Sequence, residues 1–240
     1  MFLLTRILRT SNKFFIYSLR NPYILYWVVS FRYFYFKLTK GIRTIESPYS
    51  VKISNAHNTD GLVNHFSACV YMERFDRLIF SMLANENFKK SSKILIIGPR
   101  TEADIFKLKA YGYSNIEAID LISYSESITL MDCHEMTFPD NTFDAIFCGW
   151  VLPYSTNPQK IADNIMRVAK NKSLISIGIE YALHEKLINS ADKVKSFFQN
   201  KIDNIFFEED ASSKNKCSKT LLKDTGAFSS QIMISFSLKK

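Results

Sequence analysis

The residues best suited to chemistry in this 240-residue chain lie between Ile94 and Tyr154. The apolar run Ile94–Ile97 ends at Gly98-Pro99-Arg100-Thr101-Glu102. A glycine there lets the backbone approach a ligand, and the start of the following helix offers free N–H groups to a carboxylate or phosphate. Asp120 closes the next apolar run, 22 residues beyond Gly98, where an acid can accept hydrogen bonds from both hydroxyls of a ribose. The same spacing suits a nicotinamide-dependent oxidoreductase, and a solvated strand-end acid would read no differently. His134 carries an imidazole that titrates near neutrality and so suits a general base; an ordinary hydrogen-bonded loop histidine is the plainer reading. Glu180, ending a later strand beside Tyr181 and His184, is the alternative base, whereas His57 and His65 have no discernible partner. Acids at strand ends are where an open α/β sheet binds ligands, which predicts a pocket for a nucleoside-like cofactor.

These groups need a scaffold, and the hydrophobic pattern supplies one. Short apolar strands are predicted at Ile94–Ile97, Ile116–Ile119, Ile128–Met131, Phe143–Cys148 and Leu174–Ile179, with closing strands at Ile202–Phe207 and Gln231–Leu238. A helix opens at Thr101 or Glu102. Another spans Pro158–Lys170, with proline in its first turn and Ile161, Ile165 and Val168 inward, and a third lies near Glu185–Gln199. Alternation of this kind predicts a Rossmann-like, doubly wound α/β fold. Its sheet has seven strands and is mainly parallel, with an antiparallel C-terminal strand. Ahead of it, Leu62–Leu83 reads as one helix, and Gly41–Gly61, punctuated by Pro48, reads as a linker or loop. The expected division is a basic aromatic arm (1–45), a linker and packing helix (46–91) and an α/β domain (92–240).

From Ser92 onward the chain resembles the class I S-adenosylmethionine-dependent methyltransferases. The likeness rests on the strand, glycine turn and helix around Gly98, the acid Asp120, the acid Asp132 and the phrase Phe138-Pro139-Asp140-Asn141-Thr142-Phe143-Asp144 before the fourth strand. It implies a cofactor site formed by Gly98, Pro99, Arg100, Glu102, Asp120, Asp132, Cys133, His134 and Trp150, with S-adenosyl-L-methionine as the cofactor. Asp132 would face adenine, with Cys133 and His134 supplying backbone contacts. Trp150 would stack on adenine, shape the acceptor site or pack in the core. His134, Tyr154 and Glu180 are the catalytic candidates, and no metal is implied. The acceptor would be a small metabolite, a glycan or a lipid-linked molecule. No Asn-Pro-Pro-Tyr-type segment follows the fourth strand, so no nucleic acid partner is expected.

This chain departs from the pattern in two places. Arg100 and Glu102 stand where the family's loop usually has glycines. They would either pair with the methionyl carboxylate and ammonium or fill the pocket, and the second outcome would leave a non-catalytic binding module. Only Leu121–Ser127 separates Asp120 from the third predicted strand, too little for the usual helix. One side of the pocket must then stay open, or be covered by the N-terminal arm or the Leu62–Leu83 helix.

The net charge of +8 sits entirely in residues 1–45, where eight Lys and Arg precede the first acid, Glu46; the remainder balances at 23 basic and 23 acidic residues. The charge therefore describes an arm and gives no support for nucleic-acid binding by the core. The longest uncharged run of the arm, Pro22–Phe31, is half of what a membrane span needs. Three roles stay open for it: packing on this domain or a partner, lying on an anionic membrane surface, or acting as a mitochondrial presequence. The cysteines Cys69, Cys133, Cys148 and Cys217 form no metal-binding or disulfide pattern, and the expected setting is reducing and cytoplasmic.

Overall fold

The computed structural model describes residues 13–50, 54–71, 74–180, 188, 190–210 and 231–240. After helical residues 13–18 the helices are α1 (Pro22–Lys40), α2 (Ser54–Asn64), α3 (Phe66–Tyr71), α4 (Arg74–Leu83), α5 (Ala103–Ala110), α6 (Pro158–Val168) and α7 (Ala191–Phe198). The strands are β1 (Arg43–Thr44), β2 (Ile94–Ile97), β3 (Ile116–Asp120), β4 (Ile122–Ser123), β5 (Thr129–Leu130), β6 (Phe143–Gly149), β7 (Ala169–Glu180), β8 (Ile202–Asp210) and β9 (Gln231–Leu238).

Seven strands form one sheet in the order β5-β3-β2-β6-β7-β9-β8. The first five run parallel, and β9 is antiparallel to both of its neighbours. Helices cover both faces, so successive residues of a strand enter different cores. Leu95 and Ile97 of β2 join Ile161, Ile165, Val194 and Phe198 of α6 and α7. Ile94 and Ile96 join Phe75, Leu78 and Met82 of α4 and Leu108 of α5. That double burial is why the central strands read as continuous apolar runs rather than alternating ones. Helix α6 starts as its sequence predicts: the Asn157 side chain accepts from the Lys160 N–H, and Pro158 occupies the first turn.

The phrase Phe138–Asp144 secures the start of β6. Asp144 accepts from the Lys93 N–H (2.8 Å) and from Lys170 Nζ (2.7 Å), and Arg167 reaches the Phe138 carbonyl and Asp140 (2.7 and 2.8 Å). This part of the family-like pattern is structural.

Four sequence expectations change. The single helix expected over Leu62–Leu83 is interrupted at His65, between α2 and α3, with 72–73 outside the described residues, and α2 already begins at Ser54. The expected linker 41–61 contains β1, which pairs antiparallel with β4 (Arg43 opposite Ser123). The third predicted strand shortens to Thr129–Leu130, in register with Ile119–Asp120. The helix expected at Glu185–Gln199 spans Ala191–Phe198, with 185–187 and 189 outside the described residues.

The N-terminal segment packs on the domain, over the stretch too short to hold a helix. Tyr33 and Leu62 are buried with Ile122 and Tyr124, and Leu25 and Val29 pack with Ala103 and Ala110 of α5. Tyr33 stacks on Phe66 at 4.1 Å and meets Tyr124 edge-on at 5.1 Å. A two-pronged ion pair fastens this layer: Arg32 Nε and Nη2 each donate to Glu102 at 2.8 Å. Glu102 is fully buried and also accepts from the Ser125 hydroxyl (2.5 Å), while its N–H donates to the Tyr124 hydroxyl (3.0 Å). The Arg32 guanidinium lies over the Phe36 and Phe106 rings.

Removing one member of such a pair strands a buried charge. Arg32→Ala should cost about 3 kcal/mol in urea denaturation. The double variant Arg32→Met/Glu102→Gly, which removes both charges, should lose distinctly less.

Candidate active site

At the C-terminal ends of the parallel strands lies a cleft of about 1010 Å³, its open mouth included. Gly98, Pro99, Arg100, Asp120, Asp132, Cys133, His134, Trp150 and Tyr154 all line it. Among the described residues Glu102 does not: its carboxylate is spent on Arg32 and Ser125, on the far side of the loop. The prediction that Glu102 meets the cofactor is therefore corrected, and so is the alternative that it fills the pocket. Glu180 ends β7 opposite Gln231, and its side chain lies outside the described residues, as do Tyr181 and His184. His65 is exposed, 3.5 Å from Asp60.

The loop keeps a glycine-type shape. Gly98 has φ 76°, and a Cβ there would lie 2.3 Å from Val151 Cγ2. Arg100 adopts φ 53°, the left-handed region that glycine enters freely and other residues rarely do. A hydrogen bond from its N–H to Asp120 Oδ2 (2.9 Å) holds it there. Asp120 Oδ1 accepts from the Ile122 N–H (3.2 Å). Burial raises the Asp120 pKa in opposition to these bonds. The Arg100 side chain runs along Gly61 of α2, where a Cβ would meet Nη1 at 2.9 Å.

Asp104, in the first turn of α5, also faces the cleft. Burial pushes its pKa up to about 7, against the pull of Lys107 and Arg100. Sequence reading missed it; the available signal was an acid just after a glycine turn, at the N-terminus of a helix. The cleft thus sets two strained carboxyls, Asp104 and Asp120, beside the Arg100 guanidinium.

Across the cleft, Asp132, His134 and Ser155 form a hydrogen-bonded chain. Asp132 Oδ1 receives both the His134 N–H (2.9 Å) and Nδ1 (2.5 Å), and His134 Nε2 lies 2.6 Å from Ser155 Oγ. These contacts fit Nδ1–H donating to Asp132 and Nε2 accepting from the Ser155 hydroxyl. Ser155 Oγ in turn accepts from the Asn157 N–H at 2.9 Å. Burial works against the Asp132 charge, but hydrogen bonds from Ser47 and His134 outweigh it and hold the pKa low. Tyr49 stacks on the imidazole at 4.8 Å, and Ser50 bridges to Ser155. The expected linker therefore builds a wall of the site. Nothing in the spacing of Ser47, Ser50 or Ser155 announces their roles.

Asp132, Cys133 and His134 also bring potential metal ligands within 4.8 Å of one another. The carboxylate and imidazole are already bonded to each other, and burial pushes the Cys133 thiol well above its usual range, which disfavours the thiolate a metal needs. Trp150, at φ 58°, donates its N–H to the Gly178 carbonyl (2.6 Å). Its indole lies against Gly178, 3.2 Å from where a Cβ would sit. Trp150 accordingly lines the cleft and packs into the sheet face at once.

Residues 102–177 match the family model described as a methyltransferase domain. The fold of the chain is the Rossmann-like one of the class I methyltransferases. Its fold is shared by N-methyltransferase NodS from Bradyrhizobium japonicum WM9, solved with S-adenosyl-l-homocysteine: TM-score 0.50, 16% identity, 70% of this chain and 87% of that one. It is shared by a chain of the complex that holds the Haloferax volcanii Trm112 methyltransferase activator: TM-score 0.52, 11% identity, 79% and 96% coverage. The [4+2]-cyclase SpnF is similar too, at TM-score 0.50, 12% identity and 69% and 79% coverage. No curated protein sequence matches the chain.

Two expected outcomes test this site. Gly98→Ala should cost about 2–4 kcal/mol through overlap with Val151 and left-handed strain, with Val151→Ala restoring part of it. The second concerns Asp104, whose folded pKa of about 7 lies above the ordinary carboxylate value of 3.8. The folded state then holds the proton over that window, so stability falls as pH rises through it. Asp104→Asn should gain on the wild type by up to about 1.4 kcal/mol per pH unit between those values and level off above them, read by denaturation at several pH values.

Proposed function

We propose that this domain transfers a methyl group from S-adenosylmethionine to a small acceptor: a metabolite, a glycan or a lipid-linked molecule. The observation that carries the reading is the cleft itself. It joins the intact turn at Gly98, the strand-end acid Asp120 and the Asp132–Cys133–His134 segment at the edge where open α/β sheets bind nucleoside ligands. The residues fit that cofactor. Asp120 accepts from the ribose hydroxyls, and Asp104 and Arg100 face the methionyl ammonium and carboxylate. The backbone of Cys133 and His134 meets adenine, since the Asp132 carboxylate is already held by Ser47 and His134.

When bound, the cofactor supplies an electrophilic methyl group on a sulfonium. The chain's own task is then positioning, together with removal of a proton from the acceptor. His134 is the base. Its Nε2 takes the proton directly or through Ser155 Oγ, and Asp132 fixes the tautomer and steadies the imidazolium that forms. Tyr154, on the same wall, orients the acceptor. Glu180 has no part in this account.

The fold by itself does not dictate the reaction, as the cyclase neighbour illustrates. Titration calorimetry with S-adenosylmethionine and S-adenosylhomocysteine tests the reading. Micromolar binding is expected, abolished by Asp120→Ala. Absence of binding by a folded protein would make the domain a non-catalytic module.

A further inference from the structure

Helix α1 has one face in the protein and one in water, and the second is the unusual one. Leu25, Val29 and Tyr33 are buried. At 100° per residue, the opposite arc of about 120° carries Tyr23, Trp27, Phe31, Phe34, Tyr35 and Leu38, and no charged residue falls within it. These side chains are not grazing the surface: Trp27 is 72% exposed, Phe31 74% and Leu38 86%. Just before the helix, Phe14, Phe15 and Tyr17 are exposed as well. A contiguous aromatic face on a helix of 19 residues, about 28 Å long, far exceeds the scattered apolar exposure of ordinary surfaces.

The charges that this segment itself carries are all of one sign. Residues 1–45 contain no acid. Glu102 and Glu126 neutralise Arg32 and Lys40 from elsewhere in the chain. Lys13, Arg20, Lys37 and Arg43 have no ion-pair partner among the described residues. The buried side of the helix is fastened by the Arg32–Glu102 pair, so this face cannot turn inward without breaking it. No helix among the described residues is long and apolar enough to cross a membrane.

We propose that the outer face of α1 lies in the headgroup layer of an anionic lipid bilayer. Tyr and Trp rings suit that layer, because each has an apolar body and a polar tip. An apolar stripe with cationic flanks gains from lipid burial and from attraction to negative headgroups together. A second copy of the chain fits the face poorly, because pairing two α1 faces brings like charges together. The helix lies flat in this arrangement, held to the domain by its other side. The proposal does not depend on the reaction the cleft performs.

The test is sedimentation of the full chain with phosphatidylcholine vesicles and with vesicles that also contain phosphatidylserine, while following tryptophan emission. Binding to the anionic vesicles is expected, weakened by salt and accompanied by a blue shift from Trp27. Phe31→Ser/Phe34→Ser/Leu38→Ser, which touches only exposed positions, should reduce the partition coefficient at least about tenfold with an unchanged melting temperature. Failure of the wild type to bind either vesicle would overturn the proposal. So would equal partition of the variant, or a vesicle-free dimer that the triple substitution dissolves.

Discussion

Glu102 occupies a position where a nucleotide-type loop ordinarily has no side chain, and it is wholly out of water. An ionised carboxylate in that setting is tolerated only if its charge and lone pairs are met. Arg32, seventy residues earlier, meets them with two donors, and Ser125 adds a third. The layout of the N-terminal third follows from that requirement. Helix α1 must present Arg32 to the loop, which fixes its rotation. That rotation buries Leu25, Val29 and Tyr33 and leaves the aromatic positions facing outward.

The same layer compensates for the short connection between β3 and β5. With no helix to cover that side of the sheet, Tyr124 and Ile122 would be open to solvent. Instead Tyr33, Leu62 and Phe66 enclose them, and β1 pairs with β4 along the edge. Residues 47–50 then continue over the cleft, where Ser47 bonds Asp132 and Tyr49 covers His134. The site wall on this flank belongs to a part of the chain that precedes the matched domain.

The sheet was legible in the sequence because central parallel strands are buried on both faces and announce themselves as apolar runs; β2, β6 and β9 follow their predicted limits within a residue. The strand-end acids were legible for a related reason, since the fold puts ligands where those runs stop. What eluded the sequence were contacts between segments far apart in it. A polar stretch with Pro48 looks like a linker, because Ser47 and Ser50 carry no period and their partners lie over eighty residues away. Asp104 reads as an ordinary helix-start acid until its burial is seen. Glu102 reads as a ligand group until Arg32 is found beside it. The interruption at His65, between α2 and α3, left no mark in the apolar spacing of Leu62–Leu83.

Loss of two glycines from a ligand loop would be expected to loosen or block it, yet here the turn persists. Glycine achieves that shape by having no side chain to object. Arg100 achieves it at φ 53° because Asp120 grips its N–H; Glu102, at φ −70°, has ordinary helical backbone, and Tyr124 and Arg32 hold its N–H and its carboxylate. Conformational permission has been replaced by external restraint. The restraints come from the end of β3 on one side and from the N-terminal layer on the other. The loop is therefore tied to its surroundings at both ends: Arg100 to the end of β3, and the Glu102 carboxylate to α1, the helix whose opposite face is aromatic and bare. Geometry at the cleft and the environment of that face are joined through one guanidinium.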